Sequence, residues 1–163
     1  MMLKTGFCIL SYHYTSTHVI MAMPEIPYEK GVYYIFDRGY NDFSNLFYIE
    51  QIEATFVVRD KKNLKFKQIS WERRLSKNVL SDSIIEFTVY KSSKDYLIPL
   101  RRVAYYDVEQ NREFVFLTND FSLPAFVVAE LYRTMEYRII LRMAQAVPQN
   151  QEVLGASENA VRI

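Results

Sequence analysis

The stretch "VYYIFDRGYND", residues 32–42, constrains the fold more than any other part of the chain. Val32, Tyr33, Tyr34, Ile35 and Phe36 are consecutive β-branched and aromatic residues, which read as a buried strand. Gly39 permits a tight turn after it, and Asn41 or Asp42 can cap a helix over 43–53, where Phe43, Leu46, Phe47 and Ile52 recur at helical spacing. A further apolar run, "ATFVVR" at 54–59, supplies the next strand. A strand, a turn and a helix in sequence make half of an α/β unit.

Asp37 is delivered where the first strand should end, and carboxylates at the carboxyl ends of strands commonly line α/β active sites. It is therefore a candidate catalytic residue and metal ligand; the structural alternative is a cap or an ion pair with Arg38. Asp42 reads as a cap. The chain has one cysteine, Cys8, and two histidines, His13 and His18, which excludes an internal disulfide and the usual structural zinc site. A metal would have to rest on carboxylates, hence a hard cation such as magnesium or manganese, and phosphodiester chemistry needs at least two such ligands. The sequence holds no glycine-rich phosphate loop, nucleophile elbow or paired-cysteine motif.

With 20 basic and 19 acidic residues the net charge is +1, so only local clustering can speak for nucleic acid. The run "RDKKNLKFK", 59–67, places Arg59, Lys61, Lys62, Lys65 and Lys67 within nine residues, with Asp60 as the one acid. A phosphate backbone would be held by such a patch, with an affinity that falls as salt rises. A solvated turn flank is the plainer reading, and Arg73 and Arg74 either extend the patch or decorate a loop.

From there to Thr118 the pattern is mainly strand and turn. "IIEFTVY" at 84–90, "RRVAYYD" at 101–107 and "REFVFLT" at 112–118 read as strands, the last two joined by a hairpin at "VEQN", 108–111. This antiparallel part reads as an insertion between the elements on either side. Helical periodicity returns after Ser122, a candidate cap, and Pro124, and persists from 123 to about 146 before Pro148. Tyr132, Arg133, Glu136, Arg138 and Arg142 lie on this helix, with ordinary polar faces as the plain reading. Near the N-terminus, Phe7 to Leu10 and 19–23 each have strand character, and no window is long enough to span a membrane. The 163 residues, 50% of them hydrophobic, suffice for one domain, expected to be cytoplasmic.

Four blocks in order, "YYIFDRGYNDF", "FVVRDKKNLKFK", "LRRVAYYDVEQNREFVFLTNDFSLPAFVVAELYR" and "GASENAVRI", give the chain its resemblance to transposases of the IS4 group, the DDE enzymes of bacterial insertion sequences. The resemblance implies a partial ribonuclease-H-like α/β core with a mainly antiparallel β insertion and a long C-terminal helix. It makes 1–163 a single partial catalytic domain, with 60–112 as the approximate insertion. It further implies three carboxylates binding Mg2+, cleavage and joining of DNA at terminal inverted repeats, and dimeric assembly. Asp37 matches the second acid of the triad, Arg59, Lys61, Lys62 and Asn63 match a DNA-facing basic stretch, and Tyr132 matches the first residue of a Tyr, Arg, Glu, Lys signature.

The rest of that signature departs: Met135, Ile139 and Ala146 stand where the family has Arg, Glu and Lys, and no residue corresponds to the first acid. The expectation is accordingly a truncated, catalytically inactive relative. Lys65, Tyr132 and Arg133 join the basic stretch as DNA-binding candidates, and the alternatives are a DNA-binding or dimerising remnant that modulates a full-length transposase, or a folded remnant without selected function. Loss of an N-terminal strand would leave an open sheet edge, relieved by dimerisation or by a rearranged N-terminus that fills it.

Overall fold

Strands Tyr33–Phe36 (β2) and Thr55–Arg59 (β3) run parallel at the middle of one sheet, with Tyr33 beside Thr55 and Phe36 beside Val58. The computed structural model describes the backbone of residues 7–10, 23–145 and 160–162, and side chains over 23–136. Within these, β2 and β3 are joined by Phe7–Leu10 (β1), Phe66–Trp71 (β4), Val79–Phe87 (β5), Leu100–Asp107 (β6), Arg112–Thr118 (β7) and Ala160–Arg162 (β8). The spatial order is β4-β5-β6-β7-β3-β2-β1-β8. Strands β1, β2 and β3 are mutually parallel, and every other pairing is antiparallel.

Helix Phe43–Gln51 (α1) forms where the spacing of Phe43, Leu46 and Phe47 places it. Asp42 is its cap: the carboxylate accepts from Ser44 N at 3.1 Å and Asn45 N at 3.4 Å, satisfying donors that a helix start leaves orphaned. The helix ends at Ile52 and Glu53, whose φ of 59° turns the chain left-handed into β3. Tyr90–Asp95 (α2) is a short helix between β5 and β6, and Ala125–Gln145 (α3) is the long C-terminal one. The carbonyl of Pro124 opens α3, accepting from Val127 N and Val128 N. Ser122 does not cap it; Asp120 holds this turn instead, accepting from Ser122 N at 2.7 Å and Leu123 N at 2.9 Å.

Period-two alternation divides the core. Tyr34 and Phe36 of β2, Phe56 and Val58 of β3 and Leu117 of β7 face one side, under Leu46 and Ile49 of α1. Ile35, Val57, Phe114 and Phe116 face the other, under Val128, Ala129, Tyr132 and Met135 of α3. The result is a mixed α/β fold with a largely antiparallel sheet covered on both faces.

The strands that follow residue 60 lie in the same sheet as β2 and β3: β7 hydrogen-bonds to β3, with Val58 opposite Leu117. Strand β5 begins at Val79 and stops at Phe87, whereas Tyr90 starts α2; the polar "LSDS" within it hid its first half. At the other edge β1 lies along β2, with Ile9 beside Ile35, and β8 runs antiparallel to β1, so segments near both ends of the chain fill that edge. The 123–146 helix expectation holds through Gln145; Arg138 and Arg142 have no described side chains, and His13, His18 and residues 155–159 lie outside the described residues.

Asp42→Ala should cost about 1 kcal/mol of stability by loss of the cap, whereas Leu46→Ala, which empties a fully buried site, should cost about 2–5 kcal/mol. Urea unfolding of both variants checks the ranking.

Candidate functional site

Asp37 directly follows β2, and its carboxylate turns toward the α3 side of the sheet. The Tyr132 hydroxyl donates to Asp37 Oδ1 at 2.8 Å, and Arg59 Nη1 lies 3.8 Å from the same oxygen. Neither plain alternative for Asp37 is met. It makes no side-chain capping bond to the turn at Arg38–Tyr40, and Arg38 points elsewhere, donating through Nε to Asp60 O at 3.1 Å.

The surroundings of this cluster are apolar. Arg59 lies over the Phe114 ring, 4.9 Å from its centroid, and the Tyr132 ring packs 5.0 Å from Phe116 and 5.7 Å from Phe114. Tyr132 is buried while the Asp37 side chain is 56% exposed, so a neutral phenol anchors a half-wet carboxylate. Burial first, and then the charge of Asp37, push the Tyr132 hydroxyl well above the usual phenol range.

The next residue goes the other way. Asp60 keeps the ladder by donating its N–H to Val115 O at 2.8 Å, but its side chain points to the α1 side, where Arg102 Nε meets Oδ2 at 3.2 Å. Burial raises the Asp60 carboxyl above its ordinary range, with Arg102 pulling in the opposite direction. Arg102 lies over the Phe66 ring at 4.8 Å. Around this pair opens a cleft of about 470 Å³ lined by Arg38, Asp60, Lys61, Lys62, Phe66 and Arg102 among others. Asn41 fastens its wall, donating to the carbonyls of Arg38 and Arg59, both at 2.7 Å.

The structure thus divides the candidates from the sequence. Arg59 and Tyr132 join Asp37 on the α3 side, and Lys61 and Lys62 line the cleft on the other. Asn63 and Lys65 are exposed on the crossing to β4. Arg133 reaches the β6–β7 turn, where it pairs with Glu109. Arg73 and Arg74 follow β4 at its turn to β5 and give their backbone N–H groups to Glu72. Glu136, one turn beyond Tyr132, accepts from Gln110 and pairs with Arg112 at 3.5 Å. Sequence reasoning missed Arg38, Asp60 and Arg102 as a unit; the lone acid inside a basic run was the available signal.

A divalent cation at Asp37 can be tested against these donors. One carboxylate oxygen already accepts from a phenol and faces a guanidinium, which supplies positive charge where a cation would sit. The flanking strand β1 carries no acid. On the other flank β3 contributes Arg59 to this face. Among the described residues no three His, Cys, Asp or Glu side chains gather as a metal site. These residues do not fit the ion.

A family model for the transposase DDE domain matches residues 9–134, and the chain belongs to that family. It is also similar to a protein of Sinorhizobium fredii named "Putative transposase y4zB", 30% identical over 145 residues. The match covers 85% of this chain and 40% of that relative, so the chain spans well under half the relative's length. No helix among the described residues is long and apolar enough to cross a membrane.

Removing the Asp37 charge should let Tyr132 ionise at lower pH, though still above a free phenol because burial is the larger cause. The sign follows from linkage: a phenol whose folded pKa is raised contributes stability that is present below about pH 10 and lost as pH climbs through the raised value. Phenolate absorbance of wild type and Asp37→Asn, each corrected by its Tyr132→Phe counterpart because the chain has 13 tyrosines, measures the change.

Proposed function

We propose that this chain acts as a DNA-contacting domain of the transposase type, holding a duplex by its backbone without itself cutting or joining strands. The observation that carries this reading is the cleft beside the Asp37 strand end. There Arg38, Lys61, Lys62 and Arg102 set four cations against Asp60 and Glu113 within the family-matched segment. Phosphate contacts of this kind fix position rather than sequence. The ribonuclease-H-like reading assigns β1, β2, β3, α1 and α3 to the core and 60–112 to the insertion. Three adjacent parallel strands between helices support that assignment.

Catalysis in the family rests on Mg2+ held by three carboxylates, and the ion would stabilise charge developing on a phosphodiester. In this chain Arg59 and Tyr132 take over the electrostatic role at Asp37: they hold one carboxylate oxygen and offset its charge. A strand transferase would need acids that the described residues do not bring to Asp37. The proposed setting is the cytoplasm, with the nucleoid when bound to DNA, and the biological effect is modulation of a full-length transposase at its terminal inverted repeats.

Fluorescence anisotropy of a labelled random duplex, over a salt series, tests the reading. Binding should weaken with salt, and Lys61→Ala/Lys62→Ala should lower the slope of log K against log salt by about 2. An unaltered slope, or Mg2+-dependent nicking that disappears in Asp37→Ala, would sink it.

A further inference from the structure

Strand β4 ends the sheet, and among the described residues no strand covers its outer side. Lys67, Gln68, Ile69, Ser70 and Trp71 are all exposed, Trp71 at 61% and Ile69 at 46%. Natural sheet edges are commonly blunted by proline, short length or inward-pointing charge. This one carries six residues, a single lysine and no proline.

Its backbone phase can be read from its bonds to β5. Thr88 N donates to Lys65 O, and Glu72 N donates to Asp82 O, so Lys65 and Glu72 turn inward. Antiparallel alternation turns Lys67 inward as well, and the extra residue between Gln68 and Ser70 shifts the phase. Phe66, Gln68 and Trp71 are left with amide and carbonyl groups directed at the free edge.

We propose that this edge pairs antiparallel with the same edge of a second copy of the chain, about a two-fold axis between Ile69 and Ser70. Gln68 then faces Trp71 of the second copy with both backbones outward, as a hydrogen-bonded pair requires. Lys67 faces Glu72 of the second copy in a close, non-hydrogen-bonded pair, using the Glu72 oxygen that does not accept from Arg73 N and Arg74 N, and Phe66 faces Arg73. The two-fold axis repeats each contact, so two Lys67–Glu72 ion pairs flank the centre. Centring the axis on Ile69 instead would set Lys65 against Arg73 and Glu72 against Phe66. Of these two registers, charge complementarity and backbone phase favour the first, with a second copy of the chain as partner. The pairing would form with or without DNA.

Sedimentation equilibrium of the full chain over a concentration series provides the test. The wild type should show a concentration-dependent dimer, and Lys67→Glu and Glu72→Lys alone should each be monomers, because each sets like charges opposite one another. Lys67→Glu/Glu72→Lys should restore the dimer. Far-UV circular dichroism and cooperative unfolding of each variant establish that the fold survives. A wild type that stays monomeric, a dimer that persists in both folded single variants, or a folded double variant that remains monomeric would each overturn the proposal.

Discussion

Side chains on a strand alternate between its faces, and at the end of β3 that rule sends Arg59 to one side of the sheet and Asp60 to the other. Arg59 reaches Asp37, which also accepts from Tyr132 of α3, and Asp60 reaches Arg102 near α1. Because Asp60 N remains bonded to Val115 O, the divergence happens on ordered backbone rather than in a loose turn. The two clusters are therefore neighbours in sequence and separated by the thickness of the sheet.

Each cluster sets a charge against low-dielectric surroundings. Arg59 has one face on Phe114, and its Nε finds no acceptor among the described residues, so its electrostatic partner is the Asp37 carboxylate. Ion pairs this near an apolar wall are costly to break singly, since the remaining charge loses its compensation. Asp60 is buried more deeply and carries one orphaned oxygen, which makes Arg102 necessary to it. Lys61 and Lys62 escape this pairing. They are exposed above the buried acid.

The sheet also explains why helices stand on both faces. Three of the four residues of β2 and three of the five of β3 are buried, with Ile35 and Val57 under α3 and Tyr34, Phe36, Phe56 and Val58 under α1. Asn119 fixes the far end of β3, accepting from Phe56 N at 2.9 Å and donating to Ala54 O at 2.9 Å. Tyr33, at the start of β2, donates to Asp120 at 2.7 Å, and burial with that neighbour pushes its phenol up to about 12. Polar pins at one end of the strands and the charged clusters at the other hold the register that places Asp37.

The strand, turn and α1 helix around Asp37, the hairpin at 108–111 and the long α3 were legible in the sequence, because continuous apolar runs, turn residues and helical spacing are local signals. Asp42 was legible as a cap for the same reason, and Ser122 was misread because Asp120, two residues earlier, offers a stronger acceptor to the same turn. What only the tertiary structure decided is which charges meet. Arg59 faces Asp37 across a strand pair, and Arg102 reaches Asp60 from 42 residues away. Charge partners of that kind depend on strand order and on which face each strand presents. Both are set by long-range pairing, and no spacing along the chain encodes them.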